Sequence, residues 1–295
     1  MVLTKLSEKA HYIKGPANIG VIKSNSKCIL IDTGIDEESG KKILKDLEKS
    51  GLLVEAIINT HSHADHCGGN SYIKKKTNAS IYAPPIEAEI IRNPAMEPFY
   101  FFSGASPPKD LLTKFIMAEP SVVDFIITGE ELTIGDTKIS IIPLQGHSPN
   151  QIGVACDGVL FCADAVFPKE IIEKYKIPFF TDIDKTRGTF KTLKESSYDY
   201  YVPSHAEATS DIAELVDINS RAVDRIEGSI LELLGSGKTA DQVLKELCDS
   251  YSIEMKTTQQ YYLNRTAVMA YLSSLLNNGK LKSYPKENLL LWEKI

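Results

Sequence analysis

Asn59-Thr60-His61-Ser62-His63-Ala64-Asp65-His66-Cys67-Gly68-Gly69 (NTHSHADHCGG) places three of the chain's six histidines and one aspartate within six positions. The apolar segment before it, VEAIINT, predicts a strand that carries the chain into this loop. His61 and His63 are two residues apart, and in extended backbone such side chains point to the same side. Asp65 and His66 follow as the chain turns, so they can face a second point nearby. The loop therefore predicts two sets of metal ligands, and a two-metal hydrolytic site needs ions about 3.5–4 Å apart.

Three more candidate ligands follow apolar segments later in the chain. His147 comes after ISIIPL, Asp164 ends the apolar run VLFCA, and His205 comes after YDYYVP. Every histidine except His11 thus lies in a loop behind a predicted strand. Histidines that serve only as packed core residues would not be distributed in this way, so we expect these side chains to share one site.

The motifs resemble those of the metallo-β-lactamase-fold hydrolase superfamily over roughly residues 9–209. HSHADH resembles its HxHxDH signature, and GHS, CAD and PSHAE resemble its later motifs in the same order, although PSHAE departs from the more common GHG or GHE. The alternation of strands and helices predicts an α/β protein, and the resemblance implies a four-layer αβ/βα sandwich. It also implies one metal held by His61, His63 and His147, a second held by Asp65, His66 and His205, Asp164 bridging them, and Asp32 in ILIDTG orienting a ligand histidine.

This ligand set implies a binuclear metal-dependent hydrolase. Neutral imidazole and carboxylate suit zinc, the first choice, and also iron or manganese. A water that bridges two divalent cations has its pKa lowered toward 7, so that hydroxide is available to attack a carbonyl or a phosphorus. Asp65 is the candidate catalytic residue, because it can orient the nucleophile or accept its proton.

Three substrate classes remain open within the resemblance. The first is a small ester, thioester or lactone, as in glyoxalase II-like enzymes, although their thiol-binding basic residues have no match here. The second is an endoribonuclease-like phosphodiesterase, and the third is a mono-iron persulfide dioxygenase-like enzyme. The segment 206–295 carries 13 acidic and 10 basic residues, a net charge of −3, and nucleic-acid readers usually carry a basic surplus. The first class, with a small-molecule substrate, is therefore preferred.

The chain divides into a catalytic domain, 1–209, and a C-terminal domain, 210–295. Within the first, the proline- and aromatic-rich segment 84–128 predicts a lid over the site. The sequence of the C-terminal domain predicts three helices and a terminal hairpin, which resemble a winged-helix module. Such a module often serves only packing or dimerisation, so a homodimer is a further hypothesis.

Composition and cysteine usage predict a cytoplasmic protein without a membrane span. The net charge is −6, and no run of about 20 apolar residues is present. The five cysteines are scattered without a CxxC pair, which favours free thiols in a reducing compartment.

A few residues near the motifs are assigned other roles. Cys67 and Cys162 are interpreted as packed thiols, and His11 as an ordinary surface or capping residue. Tyr100 is a candidate hydrogen-bond donor to a leaving group. Gly68 and Gly69 are interpreted as the residues that allow the turn and the approach of the following helix.

Overall fold

The computed structural model describes residues 3–295. Its two large sheets share an edge, and the predicted site lies there. Within that range the first sheet has seven strands, paired in chain order: β1 (Leu3–Lys5), β2 (Ala10–Ile13), β3 (Ile19–Ser24), β4 (Lys27–Ile31), β5 (Leu53–Ile58), β6 (Ser80–Ala83) and β7 (Phe125–Ile126). The first four pair antiparallel, and β4 to β7 pair in parallel. Because β4 and β5 are parallel, their carboxyl ends lie at one edge, which brings Asp32 next to Thr60.

The second sheet delivers the later motifs to the same site. Its strands are β8 (Glu131–Ile134), β9 (Thr137–Pro143), β10 (Ile152–Cys156), β11 (Val159–Ala163) and β12 (Tyr200–Pro203), in the order β12-β11-β10-β9-β8. β9, β11 and β12 run in the same direction, so the residues after their carboxyl ends, His147, Asp164 and His205, meet at one edge. Asp157 and Gly158 form the turn of the β10–β11 hairpin, with φ of 51° and 77°, as is typical of an Asp-Gly pair between two strands.

The sheets pack face to face through their apolar residues. Ile29 and Ile58 of the first sheet share a buried cluster with Ile141 and Phe161 of the second. Gly20 marks how closely the sheets approach, because a Cβ there would lie 2.8 Å from atoms of both Ile31 and Phe161. These contacts form the inner two layers of the sandwich.

Helices cover the outer face of each sheet. α1 (Glu37–Lys49), α3 (Asn70–Thr77) and α4 (Pro85–Arg92) pack on the first sheet, with Ile43, Ile73 and Ile91 in one cluster with strand residues. α6 (Lys169–Tyr175) and α7 (Ile183–Glu195) cover the second sheet. The four-layer prediction is therefore confirmed. The short α2 (Ala64–Cys67) lies within the histidine loop.

The C-terminal residues form the expected three helices and a hairpin. The elements are α8 (Ala213–Leu233), α9 (Ala240–Ser250), α10 (Thr258–Asn277), β13 (Leu281–Lys286) and β14 (Leu289–Lys294). Thr239 begins α9 with a capping box, and Thr257 caps α10. One hydrophobic cluster runs from Leu160 of the second sheet through α7 and α8 to Trp292 of the hairpin. The domain boundary at 209 and the winged-helix assignment stay predictions.

The segment 84–128 contains ordered elements rather than an open loop. It forms α4, α5 (Met96–Phe101), a 3-10 helix (Lys109–Leu111) and β7. Ala88 and Ile91 of α4 pack into the core cluster below the first sheet. The first helix of this segment is thus part of the scaffold, while the prediction of a moving lid concerns the residues that follow it.

No helix among residues 3–295 is long and apolar enough to cross a membrane. All five cysteines are buried free thiols, as predicted. The cytoplasmic location stays a prediction.

Candidate metal centre

Asp32 connects the end of β4 to the histidine loop. Its backbone has φ 64°, a left-handed conformation that aspartate and asparagine tolerate better than most residues. The carboxylate accepts hydrogen bonds from the Thr60 backbone N–H at 2.8 Å, the Thr60 hydroxyl at 2.7 Å and His66 Nδ1 at 2.8 Å. The Thr60 hydroxyl oxygen lies 3.0 Å from His61 Nδ1. Asp32 therefore contacts His66 directly, as the resemblance implies, and reaches His61 through Thr60.

The two adjacent glycines are required because a side chain would not fit at either position, and not because of their backbone conformation. Gly68 and Gly69 have φ of −64° and −82°, which any residue can adopt. A Cβ on Gly68 would lie 2.0 Å from the Ile35 carbonyl oxygen, and one on Gly69 would lie 2.4 Å from that of Thr33. The close approach of the β4–α1 loop thus explains both glycines, and the predicted need for a turn does not.

The seven predicted ligand residues lie together in the structure. Within each of three groups the nearest ligand-type atoms are within 4.8 Å of one another: His61, His63 and His147; His61, His66 and Asp164; Asp65, His66 and His205. The first and third groups are the two sets that the resemblance implies.

Asp164 lies between those two groups. Its Oδ1 is 3.3 Å from His66 Nε2, and its Oδ2 is 3.4 Å from His147 Nε2 and 3.2 Å from His205 Nε2. The strand β11 has a register shift between Phe161 and Ala163, where Ala163 adopts φ 49°. Such bulges re-aim side chains next to active sites, and this one precedes Asp164.

In the five histidines of the cluster, one ring nitrogen faces a group outside the cluster. Nδ1 donates to a carbonyl oxygen in His147 (Phe179, 2.9 Å) and in His205 (Pro16, 2.7 Å), while in His61 and His66 it faces Thr60 and Asp32. His63 is reversed, because its Nε2 faces Glu97 Oε1 at 3.9 Å. The second nitrogen of every ring is therefore directed into the cluster.

The inward atoms fit a pair of divalent cations. Among residues 3–295, His61 Nε2, His66 Nε2 and Asp164 Oδ1 are buried without a hydrogen-bond partner. Leaving such atoms unpaired costs about 1–3 kcal/mol each, and native proteins rarely do so without a functional reason. His63 Nδ1 and His147 Nε2 also lie only 2.9 Å apart. Imidazole nitrogens and carboxylate oxygens in this arrangement are the donor set of zinc, iron or manganese.

The pKa shifts divide the histidines of the cluster into one set with lowered pKa values and one with raised pKa values. Burial lowers the pKa of His61 well below its usual value, and lowers those of His63 and His147 to about 4. These three are therefore neutral at pH 7, which is the form that binds metal. The Asp164 charge raises the pKa of His205 to about 10.

The carboxyl groups of the cluster remain ionised. Burial raises the pKa of Asp164, but the neighbouring His205 and His66 outweigh it, and the pKa ends well below its usual range. The same balance, with His66 as the main partner, lowers the pKa of Asp65 to about 2. Burial lowers the pKa of His66, but the charges of Asp164, Asp65 and Asp32 outweigh it and raise that pKa well above its usual value. The cluster thus combines three neutral imidazoles and two carboxylates with two imidazoles, those of His66 and His205, whose pKa values the carboxylates raise.

Glu87 is a buried residue of the site region that sequence analysis missed. Its carboxylate accepts hydrogen bonds from Ser62 N–H at 3.0 Å and Ser62 Oγ at 2.7 Å. It also accepts from Ser148 Oγ at 2.9 Å and Asn150 N–H at 2.8 Å. Glu87 therefore ties the loop of His61 and His63 to the loop of His147. The only signal in the sequence is a glutamate at a core-facing helix position, between the apolar residues of PIEAEII.

Asn18 fixes the His205 loop in a similar way. Its side-chain amide donates to the carbonyl oxygens of Pro203 at 2.9 Å and Ala206 at 2.7 Å, and its N–H donates to that of Ser204 at 2.7 Å. Ser204 does not adopt a positive φ, so a serine at this position of PSHAE needs no unusual backbone conformation. The β2–β3 loop thus positions a ligand candidate of the opposite sheet.

A cavity of about 640 Å³ opens from the cluster. His63, Asp65 and His205 line it, and so does Glu97 of α5. Burial raises the pKa of Glu97 well above its usual value. Glu97 belongs to the segment 84–128, whose role as a lid stays a prediction.

Four other residues were assigned roles from the sequence: His11, Cys67, Cys162 and Tyr100. His11 is buried, with its Nδ1 3.2 Å from the Lys9 carbonyl oxygen, so its assignment to the surface was wrong; the residue faces inward because β2 is covered on both sides. Cys67 is buried and donates to the Ser62 carbonyl oxygen, and neither it nor Cys162 belongs to a ligand group of the described residues. The Tyr100 hydroxyl contacts Glu97, so its role toward a leaving group stays a prediction.

We expect Asp32→Asn to weaken metal binding about 10- to 100-fold, the usual effect of losing a residue that orients a metal-bound histidine. Asparagine tolerates the left-handed backbone, so the change removes the charge and one acceptor while keeping the shape. Asp36→Asn is the matched control, because Asp36 caps α1 in the same loop and asparagine caps equally well. Competition titration with a chromogenic chelator measures both variants. Equal affinities in Asp32→Asn and the wild type would contradict the role assigned to Asp32.

Comparisons with known proteins show which family this sequence matches. A family model described as Metallo-beta-lactamase superfamily matches residues 12–205, from β2 to the last ligand candidate. Hydroxyacylglutathione hydrolase 1 of Vibrio vulnificus (strain YJ016) is 30% identical over 151 residues, which cover 50% of this chain and 47% of that relative. The chain spans about half the length of the curated relatives it matches first.

Solved structures extend the likeness in fold to the whole chain. A metallo-beta-lactamase family protein from Thermus thermophilus has a TM-score of 0.74 at 16% identity, covering 97% of this chain and 98% of its own. A beta-lactamase domain protein from Burkholderia ambifaria has a TM-score of 0.77 at 15% identity, covering 99% and 94%. The shared fold therefore includes the region of the C-terminal helices.

Proposed function

Since this chain belongs to the metallo-beta-lactamase superfamily, we propose that it is a binuclear metal-dependent hydrolase of a small ester, thioester or lactone. The observation that carries the proposal is the pair of ligand groups that meet at Asp164, with His61 Nε2, His66 Nε2 and Asp164 Oδ1 each buried without a hydrogen-bond partner among residues 3–295. A structural cluster would pair such atoms within the protein.

The proposed ligand roles follow the grouping of atoms. His61, His63 and His147 would hold one cation, Asp65, His66 and His205 would hold the other, and Asp164, which lies between the two groups, would be available to both. Zinc is the first choice, because all seven donors are imidazole or carboxylate, with iron and manganese as alternatives.

The chain's own residues would serve hydrolysis in distinct ways. When bound, two divalent cations lower the pKa of a coordinated water and polarise the substrate carbonyl. Asp65 borders the cavity, with its Oδ2 3.4 Å from His205 Nε2 and 3.7 Å from His66 Nε2. Its carboxylate can therefore orient the attacking water and accept its proton. Glu87 and Asp32 keep the ligand loops in place.

The charge of the cavity supports a small carbonyl substrate over a nucleic acid. Among its lining residues, all of which lie in the described range, Lys174 is the only lysine or arginine, whereas Asp65, Glu97, Asp164 and Glu254 are acidic. A polyanionic backbone needs basic partners, so a phosphodiesterase function ranks second.

Metal analysis of protein purified without a chelator or metal-affinity tag tests the proposal. We expect close to two equivalents of zinc or manganese per chain, and loss of thioester, ester or lactone hydrolysis on chelation with recovery on adding the metal back. Removing the metals should also lower the thermal midpoint, because a ligand that binds only the folded state stabilises it. About one equivalent of iron would instead support the persulfide-oxidising alternative and overturn the binuclear hydrolase.

A further inference from the structure

We propose that the substrate carries a medium-chain or similarly bulky apolar acyl group, which lies in the cavity between the ligand cluster and the C-terminal helices. This inference rests on the proposed function for the chemistry, and on the cavity walls for the acyl group. A volume of about 640 Å³ is ample for such a group, since pockets for drug-sized ligands range over about 300–1,000 Å³.

The wall beside the ligand cluster is aromatic and aliphatic. Phe167, Ile177 and Phe179 line the cavity next to His147, and the Phe167 and Phe179 rings lie 5.6 and 5.7 Å from the His147 ring. Phe179 also accepts the His147 hydrogen bond through its carbonyl oxygen. A chain attached to a carbonyl at the cluster would therefore meet apolar surface as soon as it leaves the ligands.

The opposite wall comes from the C-terminal part of the chain. Ile253 and Met255, between α9 and α10, and Leu263 on α10 line the cavity. All three are only half-buried, because part of each apolar side chain borders the cavity. Burying a methylene against such surface is worth about 0.8 kcal/mol, so an apolar chain that reaches this wall is retained.

The rim of the cavity is apolar as well. Phe115 of the segment 84–128 and Tyr175 of α6 both line it, and they remain 61% and 55% exposed. Single exposed aromatics are common on protein surfaces, but two at the mouth of one apolar cavity favour the entry of an apolar group.

The charges of the cavity indicate an uncharged substrate. The single lysine of the lining, Lys174, lies over the Tyr175 ring at 4.8 Å, at the rim. Outside the ligand cluster the lining carries one basic side chain, Lys174, and two acidic ones, Glu97 and Glu254, so it offers no basic surplus to a carboxylate or phosphate. A neutral ester, lactone or small thioester with an apolar acyl group satisfies both the charge and the shape of the cavity.

The first experiment compares acyl chain lengths on one leaving group. The metal-loaded protein is assayed with 4-nitrophenyl acetate and 4-nitrophenyl octanoate. We expect kcat/KM to be at least about 100-fold higher for octanoate, since hydrophobic pockets distinguish single methylenes by about tenfold or more. A ratio near one, or a preference for acetate, would overturn the inference while leaving the hydrolase proposal intact.

A substitution in the C-terminal wall tests where the chain lies. Leu263→Asn should lower the octanoate-to-acetate ratio of kcat/KM about tenfold. Leu290→Asn is the matched control, because Leu290 lies on the exposed hairpin strand β14 and does not line the cavity. An equal ratio in Leu263→Asn and Leu290→Asn would show that the acyl chain does not reach the C-terminal helices.

A binding measurement keeps this inference separate from the proposed function. Octanamide and acetamide, which are neutral, are titrated calorimetrically into the metal-loaded protein. We expect octanamide to bind at least about tenfold more tightly, and Leu263→Asn to remove that preference. If no ester or thioester is hydrolysed, the proposed function fails, and the octanamide titration still decides the acyl site. Equal binding of the two amides would overturn it.

Discussion

Asp164→Ala is expected to lower kcat/KM by at least about a thousandfold, which corresponds to ~4 kcal/mol of transition-state stabilisation. The carboxylate lies 3.2–3.4 Å from nitrogens of His66, His147 and His205, so its removal takes a shared donor from both ligand groups. Metal content should fall below two equivalents in the same variant. The measurements are steady-state kinetics on any ester or thioester that the wild type hydrolyses, together with elemental analysis.

Controls for this variant separate lost chemistry from lost structure. Asp164→Asn preserves the shape but removes the charge, and should also be inactive. Asp136→Ala changes an exposed aspartate in the β8–β9 turn of the same sheet, and should retain activity. We expect the circular dichroism spectra of all three variants to match that of the wild type. Turnover of Asp164→Ala within tenfold of the wild type would exclude a shared ligand at this position.

Glu87→Ala is expected to lower the free energy of unfolding by about 3–5 kcal/mol. Four donors, two from Ser62 and one each from Ser148 and Asn150, would lose their common acceptor. The loops that carry His61, His63 and His147 would also lose their connection, so metal affinity should fall as well. Urea unfolding with and without bound metal measures both effects.

Glu89→Ala provides the comparison for Glu87. Glu89 lies on the same helix, is exposed and pairs with Arg92, and exposed pairs contribute about 0–1 kcal/mol. Glu87→Gln should be intermediate, because an amide offers one acceptor oxygen in place of two. If Glu87→Ala and Glu89→Ala unfold at the same urea concentration, the buried carboxylate does not hold the loops together.

Local patterns were sufficient to predict the strands and the candidates at their ends. The histidine loop, His147, Asp164 and His205 all follow apolar strands, and parallel strand directions bring such ends to one edge. Glu87 and Asn18 escaped prediction because their partners come from loops far along the chain. A helical glutamate is usually exposed, so the core-facing position of Glu87 within PIEAEII was too weak a signal to predict its burial. The sequence also could not show why Gly68 and Gly69 are needed, because the atoms that exclude a side chain there are the carbonyl oxygens of Thr33 and Ile35.

The hydrophobic cluster that runs from Leu160 to Trp292 has a consequence for folding cooperativity. Because α7, α8 and the C-terminal hairpin bury apolar residues in the same cluster, unfolding of the C-terminal helices would expose the apolar face of α7 and Leu160 of the second sheet. We therefore expect the second sheet, α7 and the C-terminal helices to unfold as one cooperative unit. Met255 packs against that cluster, so we expect the C-terminal wall of the cavity to depend on the stability of this unit.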